Sequence, residues 1–467
     1  MNQKSERVGL TDDGLSSLMD RIDQVRVAQP TAKRTPISSP KRKSQAYDTT
    51  FETLPGFSNI NAQRSFGKGL GIHNPYYNVH DAMAGAHSQI DGQPVLNFSS
   101  YDYLGLNGHP QITEAVQKAA ADWGTSVSAS RMTAGERAIH RELEAELAAV
   151  YEAEDAVVFV TGHGTAVSTV AALMGPKDLI VHDAVIHNCV VVGAQCSGST
   201  RRAYPHNDLD ALEAILERER HHYGRTMIAT EGLFSMDGDG VDLARLVELK
   251  ERYGCWLLVD DAHALGVMGK TGRGVFEHVG VPPQGVDIWM GTLSKSVVSC
   301  GGYVAGSNAL IDYLKSYAPG FVYSVGMPVT NAVAALEALR LMKAEPQRVE
   351  KLQANGKQFL EGAKQRGLDT GPSWGLSIIP VMIGDSLRAV GLTDRLLKLG
   401  INAFPVLPPG VPEKSARLRF FLTCEHTSEE INRALDCIAS ELNALIEMGF
   451  GLDQAADLAA LKSSLAR

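Results

Sequence analysis

The sequence predicts an α/β fold in which a mostly parallel central sheet carries helices on both faces and is followed by a smaller α+β C-terminal domain. Short apolar runs such as DAVVFV, DLIVHD, RTMIAT, CWLLVD and VDIWMG alternate with segments of helical spacing such as HRELEAELAAVY. Apolar runs of this length are typical of parallel strands that are buried on both faces. After about residue 340 the order changes to a helical segment, the runs SIIPVMIG and ARLRFFLT, and a long final helix.

The composition is that of a globular protein, and it argues against several classes of function. The 467 residues are 44% hydrophobic, and no apolar run approaches the roughly 18–20 residues that cross a bilayer. A formal charge of −9 argues against a nucleic-acid-binding body, which needs a basic face. The N-terminus lacks the apolar core of a secretory signal. The six cysteines form no CxxC pair and no Cys/His cluster, so we expect reduced thiols, a cytoplasmic protein and no metal site.

Four regions are predicted along the chain. Residues 1–50 form a flexible N-terminal tail, in which a short amphipathic pattern precedes the basic stretch QPTAKRTPISSPKRKSQ. Residues 51–98 form an N-terminal extension, residues 99–335 the large domain and residues 336–467 the C-terminal α+β domain. The tail is interpreted either as a solvated linker or as a docking helix on a flexible tether.

Lys295, in the segment GTLSKSVVSCGG, is the best candidate for a reactive amine. It follows the run VDIWMG and precedes Gly301 and Gly302. A lysine that reacts as a nucleophile must lie in a pocket, where desolvation lowers its pKa and frees the amine. Because most lysines are solvated surface residues, the segment alone is weak evidence.

Asp260 ends the run CWLLVD, and His263 follows three residues later in VDDAHALG. Ligands of open α/β sheets bind at the carboxyl ends of the strands, where a carboxylate can pair with the pyridinium nitrogen of a cofactor. A helix cap or a metal site would use the same residue types. The presence of Lys295 after the next strand favours the cofactor interpretation.

The segment VTGHGTAVST follows the run DAVVFV and opens a helix, so its backbone N–H groups are a candidate phosphate seat. Gly162 and Gly164 permit close approach of a ligand, and Thr292 is placed to donate from the other side. A glycine turn before a helix is also common where no phosphate binds.

Two more side chains are candidates for ligand contacts. His187 follows the run DLIVHD, where an imidazole can stack flat on a cofactor ring. Arg419, in RLRFFLTCEHT, offers a guanidinium for bidentate capture of a substrate carboxylate. The alternatives are a hydrogen-bonded loop histidine and a charge on an edge strand.

In this order the five features resemble the α-oxoamine synthase family of fold-type I pyridoxal-phosphate (PLP) enzymes. Over residues 75–445 the likeness is carried by NFSSYDYLGL, HRELEAELA, TEGLFSMDGD, VDDAHALGVMGKTGRG and TLSK. The resemblance implies a PLP-dependent decarboxylative condensation of a small amino acid with an acyl thioester. The expected products are an α-aminoketone, carbon dioxide and a free thiol, and the expected assembly is a homodimer with shared active sites.

The resemblance also implies roles for residues at matching positions. It makes Lys295 the cofactor-carrying lysine and proton-transfer base, and it pairs Asp260 with the pyridine nitrogen. His187 would be catalytic and stack on the ring, Arg419 would bind the substrate carboxylate, and Tyr101 would lie in the substrate site. The other implied cofactor contacts are those of His263 and Ser235 with the ring hydroxyl, of His163, Gly164 and Thr292 with the phosphate, and of Ser324 with the phosphate of a neighbouring subunit.

One departure bears on the substrates. Many members have Asn where this chain has Tyr101, and the Tyr form is more similar to serine palmitoyltransferase and to synthases of polyketide assembly lines. The segment GTSVSASRMTAGE at 124–136 is also more similar to these two groups of enzymes. Alanine, serine and glycine therefore stay open, as do CoA and acyl-carrier-protein donors; carrier proteins are usually acidic, which suits the basic tail.

Three other functions are weighed beside this one. An aminotransferase of the same fold would share Lys295 and Asp260 but release a keto acid. A non-catalytic scaffold subunit of the family would usually lack the lysine. A basic tail that binds nucleic acid or a membrane surface would give only weak, salt-sensitive attachment.

Overall fold

The structure is a computed structural model, and it describes residues 49–61, 64 and 71–452. The chain divides into two units, residues 1–64 and 65–467. The described part of the first unit includes one exposed 3₁₀ turn, Phe51–Thr53. The docking segment expected before residue 49 lies outside the described residues, and the domain boundaries expected at residues 50, 98 and 335 stay predictions.

The described residues of the second unit form three β-sheets. All of the apolar runs singled out in the sequence are strands, and six further strands complete the sheets. The strands are β1 (His87–Ile90), β2 (Gln93–Asn97), β3 (Asp155–Phe159), β4 (Leu179–Asp183), β5 (Thr200–Tyr204), β6 (Thr226–Glu231), β7 (Trp256–Asp260), β8 (Ile288–Thr292), β9 (Gly302–Gly306), β10 (Ile378–Met382), β11 (Ile401–Asn402), β12 (Phe404–Val406) and β13 (Arg417–Phe421).

Thirteen α-helices connect and cover these strands in the described part of the chain. Many begin at a side chain that accepts a hydrogen bond from the first turn, as Thr161, Asp208 and Asp242 do. The helices are α1 (Pro110–Trp123), α2 (Ala138–Val150), α3 (Gly162–Leu173), α4 (Asn188–Ser197), α5 (Leu209–Glu219), α6 (Leu243–Tyr253), α7 (Val275–Val279), α8 (Asn308–Tyr317), α9 (Pro319–Val322), α10 (Val329–Ala344), α11 (Gln347–Gln365), α12 (Ser386–Lys398) and α13 (Ser428–Glu447).

The central sheet has seven strands in the order β3-β9-β8-β7-β6-β4-β5. The pairs from β8 to β5 are parallel, whereas β9 is antiparallel to both of its neighbours, β3 and β8. Six strands therefore point in one direction, and their carboxyl ends meet at one edge. This confirms the prediction of a mostly parallel sheet with helices on both faces.

The core lies on both faces of this sheet because successive strand residues point in opposite directions. Ile180 and Leu258 pack in a cluster with α3, α4 and α8. Their chain neighbours Val181 and Val259 pack on the other face with α2, α5, α6 and α10. Each fully buried large apolar side chain contributes about 1.5–3 kcal/mol relative to an exposed one, so the two faces fix the strand register firmly.

Two smaller sheets stand beside the central one. β10, β13 and β12 form an antiparallel sheet in which β13 is the middle strand, with Arg419 paired to Pro380 on one side and Phe404 on the other. Arg419 is therefore not the edge-strand charge considered as its alternative. In the other sheet β2 runs parallel to β11, so a strand from the N-terminal extension pairs with the C-terminal part of the chain.

Among the residues that the structure describes, no helix is both long and apolar enough to span a bilayer.

Candidate active site

Most of the predicted site residues lie at or beside the carboxyl edge of the central sheet. α3 begins directly after β3, His187 follows β4, and Asp260 is the last residue of β7. Lys295 lies in the turn between β8 and β9, where the Val298 N–H donates to its carbonyl at 2.9 Å. Residues that are distant in sequence thus converge because parallel strands end at the same edge.

Lys295 and Asp260 lie close enough for their charges to interact, but they form no direct ion pair within the described structure. Burial lowers the pKa of the Lys295 amine to about 8, although the carboxyls of Asp260 and Glu231 favour its charged form. Burial likewise raises the pKa of Asp260, and the nearby lysine opposes that change. The amine and the carboxyl group thus influence each other electrostatically without forming an ion pair.

His263 is a buried, uncharged imidazole. Its Nδ1 lies 2.8 Å from the Tyr103 hydroxyl, which holds the ring in one orientation. Burial lowers the pKa of His263 well below its usual value, and the positive charges of Lys295 and Arg419 lower it further. The ring lies parallel to that of Phe421, with centroids 6.4 Å apart.

His187 is the N-cap of α4, and its backbone is anchored from the next strand of the sheet. Its N–H donates to Glu231 Oε1 at 2.6 Å, and its Nδ1 lies 2.9 Å from Cys189 Sγ. Burial raises the pKa of the Cys189 thiol, so the S–H is the donor and His187 Nδ1 the acceptor. Burial also lowers the pKa of His187, which therefore presents a neutral ring.

Ser235 and Arg419 are joined across two parts of the chain. The Arg419 guanidinium donates to the Ser235 carbonyl at 2.7 Å and contacts Met236 Sδ at 3.6 Å. Arg419 is buried, pairs with no carboxylate among the described residues, and has a buried Nε without a hydrogen-bond partner. Burial lowers its pKa. Arg419 is thus a buried guanidinium that keeps hydrogen-bonding capacity for an anionic ligand.

The start of α3 faces Thr292 across a narrow gap. A Cβ built on Gly162 would lie 2.6 Å from Thr292 Oγ1, so glycine is needed for this approach. The Gly164 N–H donates to Thr161 Oγ1 at 2.9 Å, whereas the first N–H groups of a helix, here of Gly162 and His163, have no intrahelical acceptor. Thr292 Oγ1 itself donates to the Gly301 carbonyl at 2.9 Å.

Tyr101 lies beside the Lys295 amine and is 41% exposed, so its ring is on the open side of the site. Its ring centroid is 5.8 Å from Lys295 Nζ and 5.0 Å from the Phe421 ring. Ser324 is not brought to this group. It follows α9 between Tyr323 and Val325, both exposed, and no hydrogen bond in the described structure joins it to the other site residues.

Three residues of the site were not singled out in the sequence. Glu231 ends β6, is 2% exposed, and accepts hydrogen bonds from the His187 N–H and the Ser235 N–H. Tyr103 orients His263, and Cys189 contacts His187. Of the three, Glu231 could have been predicted from the sequence, because it is a carboxylate at the end of a buried strand, next to Asp260 on the neighbouring strand. The contacts of Tyr103 and Cys189 arise from tertiary packing.

A cavity of about 570 Å³ lies at the opposite edge of the sheet, near the amino ends of the strands, and is lined by residues that include Trp256, Trp289 and Tyr313. It contains none of the predicted site residues. The chemistry of the side chains, rather than the size of a cavity, therefore identifies the site.

Comparison with known proteins bears on the identity of this arrangement. Residues 93–438 match the family model described as aminotransferase class I and II. A putative 8-amino-7-oxononanoate synthase from Gloeobacter violaceus is 42% identical over 354 residues, which cover 76% of this chain and 90% of that protein. The 8-amino-7-oxononanoate synthase from Symbiobacterium thermophilum is 38% identical over 372 residues, covering 80% and 94%.

The chain belongs to the α-oxoamine synthase family.

Solved structures agree with this assignment. Serine palmitoyltransferase from Sphingomonas wittichii superposes with a TM-score of 0.80 at 28% identity, covering 84% of this chain and 98% of that one. A serine palmitoyltransferase from S. paucimobilis with a bound PLP–myriocin aldimine gives 0.81 at 26%, covering 84% and 99%. This α-oxoamine synthase is a PLP-dependent acyltransferase that joins an amino acid to an acyl thioester with loss of CO2, as the sequence predicted.

The residues at the carboxyl edge fit PLP. Lys295 and Asp260 influence each other's pKa without forming an ion pair among the described residues, which suits an amine that holds the cofactor and a carboxyl group that would meet its ring nitrogen. The free N–H groups at the start of α3 suit a phosphate. The unpaired Nε of Arg419 suits the carboxylate of an amino acid.

Proposed function

We propose that this α-oxoamine synthase condenses L-alanine, or another small L-amino acid, with an acyl thioester to give an α-aminoketone. The proposal depends on Lys295 as the residue that carries the cofactor and moves the proton. The observation that carries it is the half-buried Lys295 side chain, whose amine is close enough to Asp260 to interact with its charge but forms no ion pair among the described residues. A lysine that only stabilised the fold in these surroundings would be expected to have a contact partner.

PLP, when bound, supplies an electron sink for the negative charge that develops at the substrate Cα. Asp260 would keep the ring nitrogen protonated, because a carboxylate beside that nitrogen favours the charged form. The His263 ring, oriented by Tyr103, and the Ser235 hydroxyl would bind the ring hydroxyl. His187, fixed by Glu231 and Cys189, would cover one face of the ring.

The phosphate would be held by His163 and Gly164 at the start of α3 and by the Thr292 hydroxyl. Thr292 would have to release its hydrogen bond to the Gly301 carbonyl, and the Gly164 N–H its bond to Thr161 Oγ1, in order to donate to phosphate oxygens. Ser324 would reach the phosphate of a second copy of the chain, since it stands in an exposed segment away from the site of its own chain. The working enzyme would then be a homodimer with shared active sites.

Arg419 would bind the substrate carboxylate until it leaves as CO2. Its guanidinium lies 4.6 Å from the Phe421 ring and donates to Ser235, which fixes its plane while Nε stays available. Tyr101, above Lys295 Nζ, would contact the substrate on the open side of the site.

The proton at the substrate Cα would move to and from Lys295 Nζ. Burial lowers the pKa of this amine to about 8, close to neutral pH, where a general base works best. The buried Phe421 and His263 side chains lie on one side of the same site, where they would limit the access of water.

The substrates are proposed from the chemistry in the relatives' names. In 8-amino-7-oxononanoate the amino carbon at position 8 bears a methyl group and adjoins a ketone, which is the pattern that alanine would leave after loss of CO2. Serine palmitoyltransferase names serine for the structural neighbours. CoA and an acyl-carrier protein are both proposed as thioester carriers, and residues 1–50 would dock the latter. Catalysis would take place in the cytoplasm.

The experiment is a panel of alanine, serine and glycine against acyl-CoA and acyl-carrier-protein thioesters. Free thiol, CO2 and product mass would be measured for the wild type and for Lys295→Ala. We expect one amino acid to give stoichiometric thiol and CO2, and we expect at least a 1,000-fold loss in Lys295→Ala, because removal of a catalytic base and cofactor anchor acts on both roles. Formation of a keto acid without CO2 would instead indicate an aminotransferase.

A further inference from the structure

A short hairpin connects two of the proposed site residues. Residues 233–240, here called the hairpin, close with an antiparallel bridge between Leu233 and Gly240. The Phe234 N–H donates to the Asp239 carbonyl at 2.8 Å, and the Gly238 N–H donates to the Phe234 carbonyl at 2.9 Å. The tip of this hairpin therefore carries Ser235 in a tightly bonded turn.

Both arginines of β13 contact the tip of the hairpin. Arg419 donates to the Ser235 carbonyl at 2.7 Å, and Arg417 donates to the Met236 carbonyl at 3.3 Å and pairs with Asp237. The Ser235 carbonyl is the one oxygen that Arg419 contacts within the described residues. A displacement of the tip would therefore change the direction of the Arg419 guanidinium.

The base of the hairpin is fixed by His206. His206 Nε2 lies 3.0 Å from Asp239 Oδ2, and its Nδ1 lies 3.0 Å from a carboxyl oxygen of Asp183, the last residue of β4. Asp239 Oδ1 is buried without a partner in the described structure, so His206 and Asn207 supply the contacts of this carboxyl group. Asp183 also accepts the Val185 N–H at 2.9 Å, at the start of the segment that leads to His187.

The contacts of His206 require a cationic ring. Each ring nitrogen faces a carboxyl oxygen, so both nitrogens must carry a proton, and neither has a lone pair left for a metal ion. The charged groups around the ring are Asp183, Asp239 and Asp237, the last of which pairs with Arg417. Burial alone would lower the pKa of His206, but the carboxylates of Asp183 and Asp239 raise it to about 10.

We propose that His206 is a positioning residue for the amino-acid substrate. As a cation clamped between Asp183 and Asp239, it fixes the base of the hairpin, and the hairpin tip in turn orients Arg419 toward the substrate carboxylate. The inference rests on the proposed function, because it takes Arg419 as the carboxylate-binding residue.

The first test is His206→Gln, because a glutamine amide can donate to only one of the two carboxylates. We expect KM for the amino acid to rise about tenfold, while kcat and KM for the acyl thioester change less than about threefold. In the protein without PLP, hydrogen–deuterium exchange should increase in the hairpin and stay unchanged in β7. His222→Gln, at an exposed histidine, is the matched control and should change none of these quantities.

A second test measures how KM for the amino acid depends on pH and whether a double variant restores it. Asp239→Asn removes one of the two carboxylates that keep His206 charged, so amino-acid KM should begin to rise at a lower pH than in the wild type. The double variant His206→Gln with Asp239→Asn restores complementary partners, because one amide can accept from the other. It should recover at least part of the lost amino-acid affinity. A residue that only stabilised the fold would move KM for both substrates, and the double variant would restore neither.

Arg419→Lys separates this inference from the proposed function. If Arg419→Lys raises amino-acid KM but His206→Gln leaves it unchanged, the role of His206 is refuted and the site assignment stands. If Arg419→Lys has no effect on amino-acid KM, the assignment of Arg419 fails, and the inference fails with it. A parallel rise in amino-acid KM in both variants, with exchange increased in the hairpin, supports both.

Discussion

Arg131 and Arg419 are buried to the same degree, at 7% and 8% exposed, but their surroundings differ. Arg131 donates to Glu136 at 2.6 and 2.9 Å and also pairs with the buried Glu144. Arg419 has a carbonyl, a thioether and a ring as neighbours, and its Nε has no partner.

The difference appears in the pKa values of the two arginines. Burial opposes the charge on both. For Arg131 the hydrogen bonds of Glu144 and Glu136 overcome that cost and raise the pKa, whereas the pKa of Arg419 is lowered. A buried cation that is paired with carboxylates, as Arg131 is, stabilises the fold. A buried cation without a carboxylate partner, as Arg419 is, lowers the stability of the fold, and this cost supports the proposal that Arg419 binds a ligand.

The largest effect on stability should come from replacing Arg131, the arginine that is paired with carboxylates. Arg131→Met leaves the Glu144 carboxylate buried without its main partner, and we expect a loss of about 3–5 kcal/mol in the free energy of unfolding. Denaturant unfolding of the purified protein measures it. The double variant Arg131→Met with Glu144→Gln removes the stranded charge and should recover part of the loss. A change below about 1 kcal/mol in Arg131→Met would contradict the structural role.

The unpaired arginine should show the opposite pattern. Arg419→Met should lower kcat/KM for the amino acid roughly 30-fold or more, because the substrate carboxylate loses its charged partner. This corresponds to a loss of about 2–5 kcal/mol in transition-state stabilisation. The free energy of unfolding should stay within about 1 kcal/mol of wild type, since no carboxylate is stranded. Arg218→Met, at a side chain that is 64% exposed, is the control for both measurements. Marked destabilisation with unchanged amino-acid kinetics would remove the distinction between the two arginines.

The comparison also shows what the sequence could predict. Asp260, His187 and Lys295 were found because each lies at or after the end of an apolar run, and parallel strands bring such positions to one edge. Arg419 was selected for the chemistry of its guanidinium instead, and the sequence could not tell a central strand from an edge strand there, since β12 and β10 pair with β13 through tertiary contacts.

Other features were beyond the sequence for similar reasons. β9 was not among the predicted strands, and its sequence does not distinguish an antiparallel strand from a parallel one, because burial on both faces gives the same apolar pattern. The pairing of β2 with β11 joins residues about 300 positions apart in the chain. Arg131 was not singled out at all, because a buried ion pair is recognised only when its partners are seen together.

A smaller effect extends the comparison to Lys295, a second cation of the site that forms no ion pair among the described residues. Burial lowers the pKa of its amine to about 8, so it loses its proton more easily than an exposed lysine near 10.5. Only the neutral amine can react with the PLP aldehyde. The rate of PLP uptake by the apoenzyme, followed by visible absorbance, should rise about tenfold per pH unit up to about pH 8 and level off above it.

The control is the model amine Nα-acetyl-lysine, whose free ε-amine reacts with PLP under the same conditions and corrects for the ionisation of PLP. Its rate of reaction should continue to rise toward pH 10. If the protein instead followed the model amine, Lys295 would behave as a solvated lysine, and its resemblance to Arg419 as a buried cation held for a ligand would be lost.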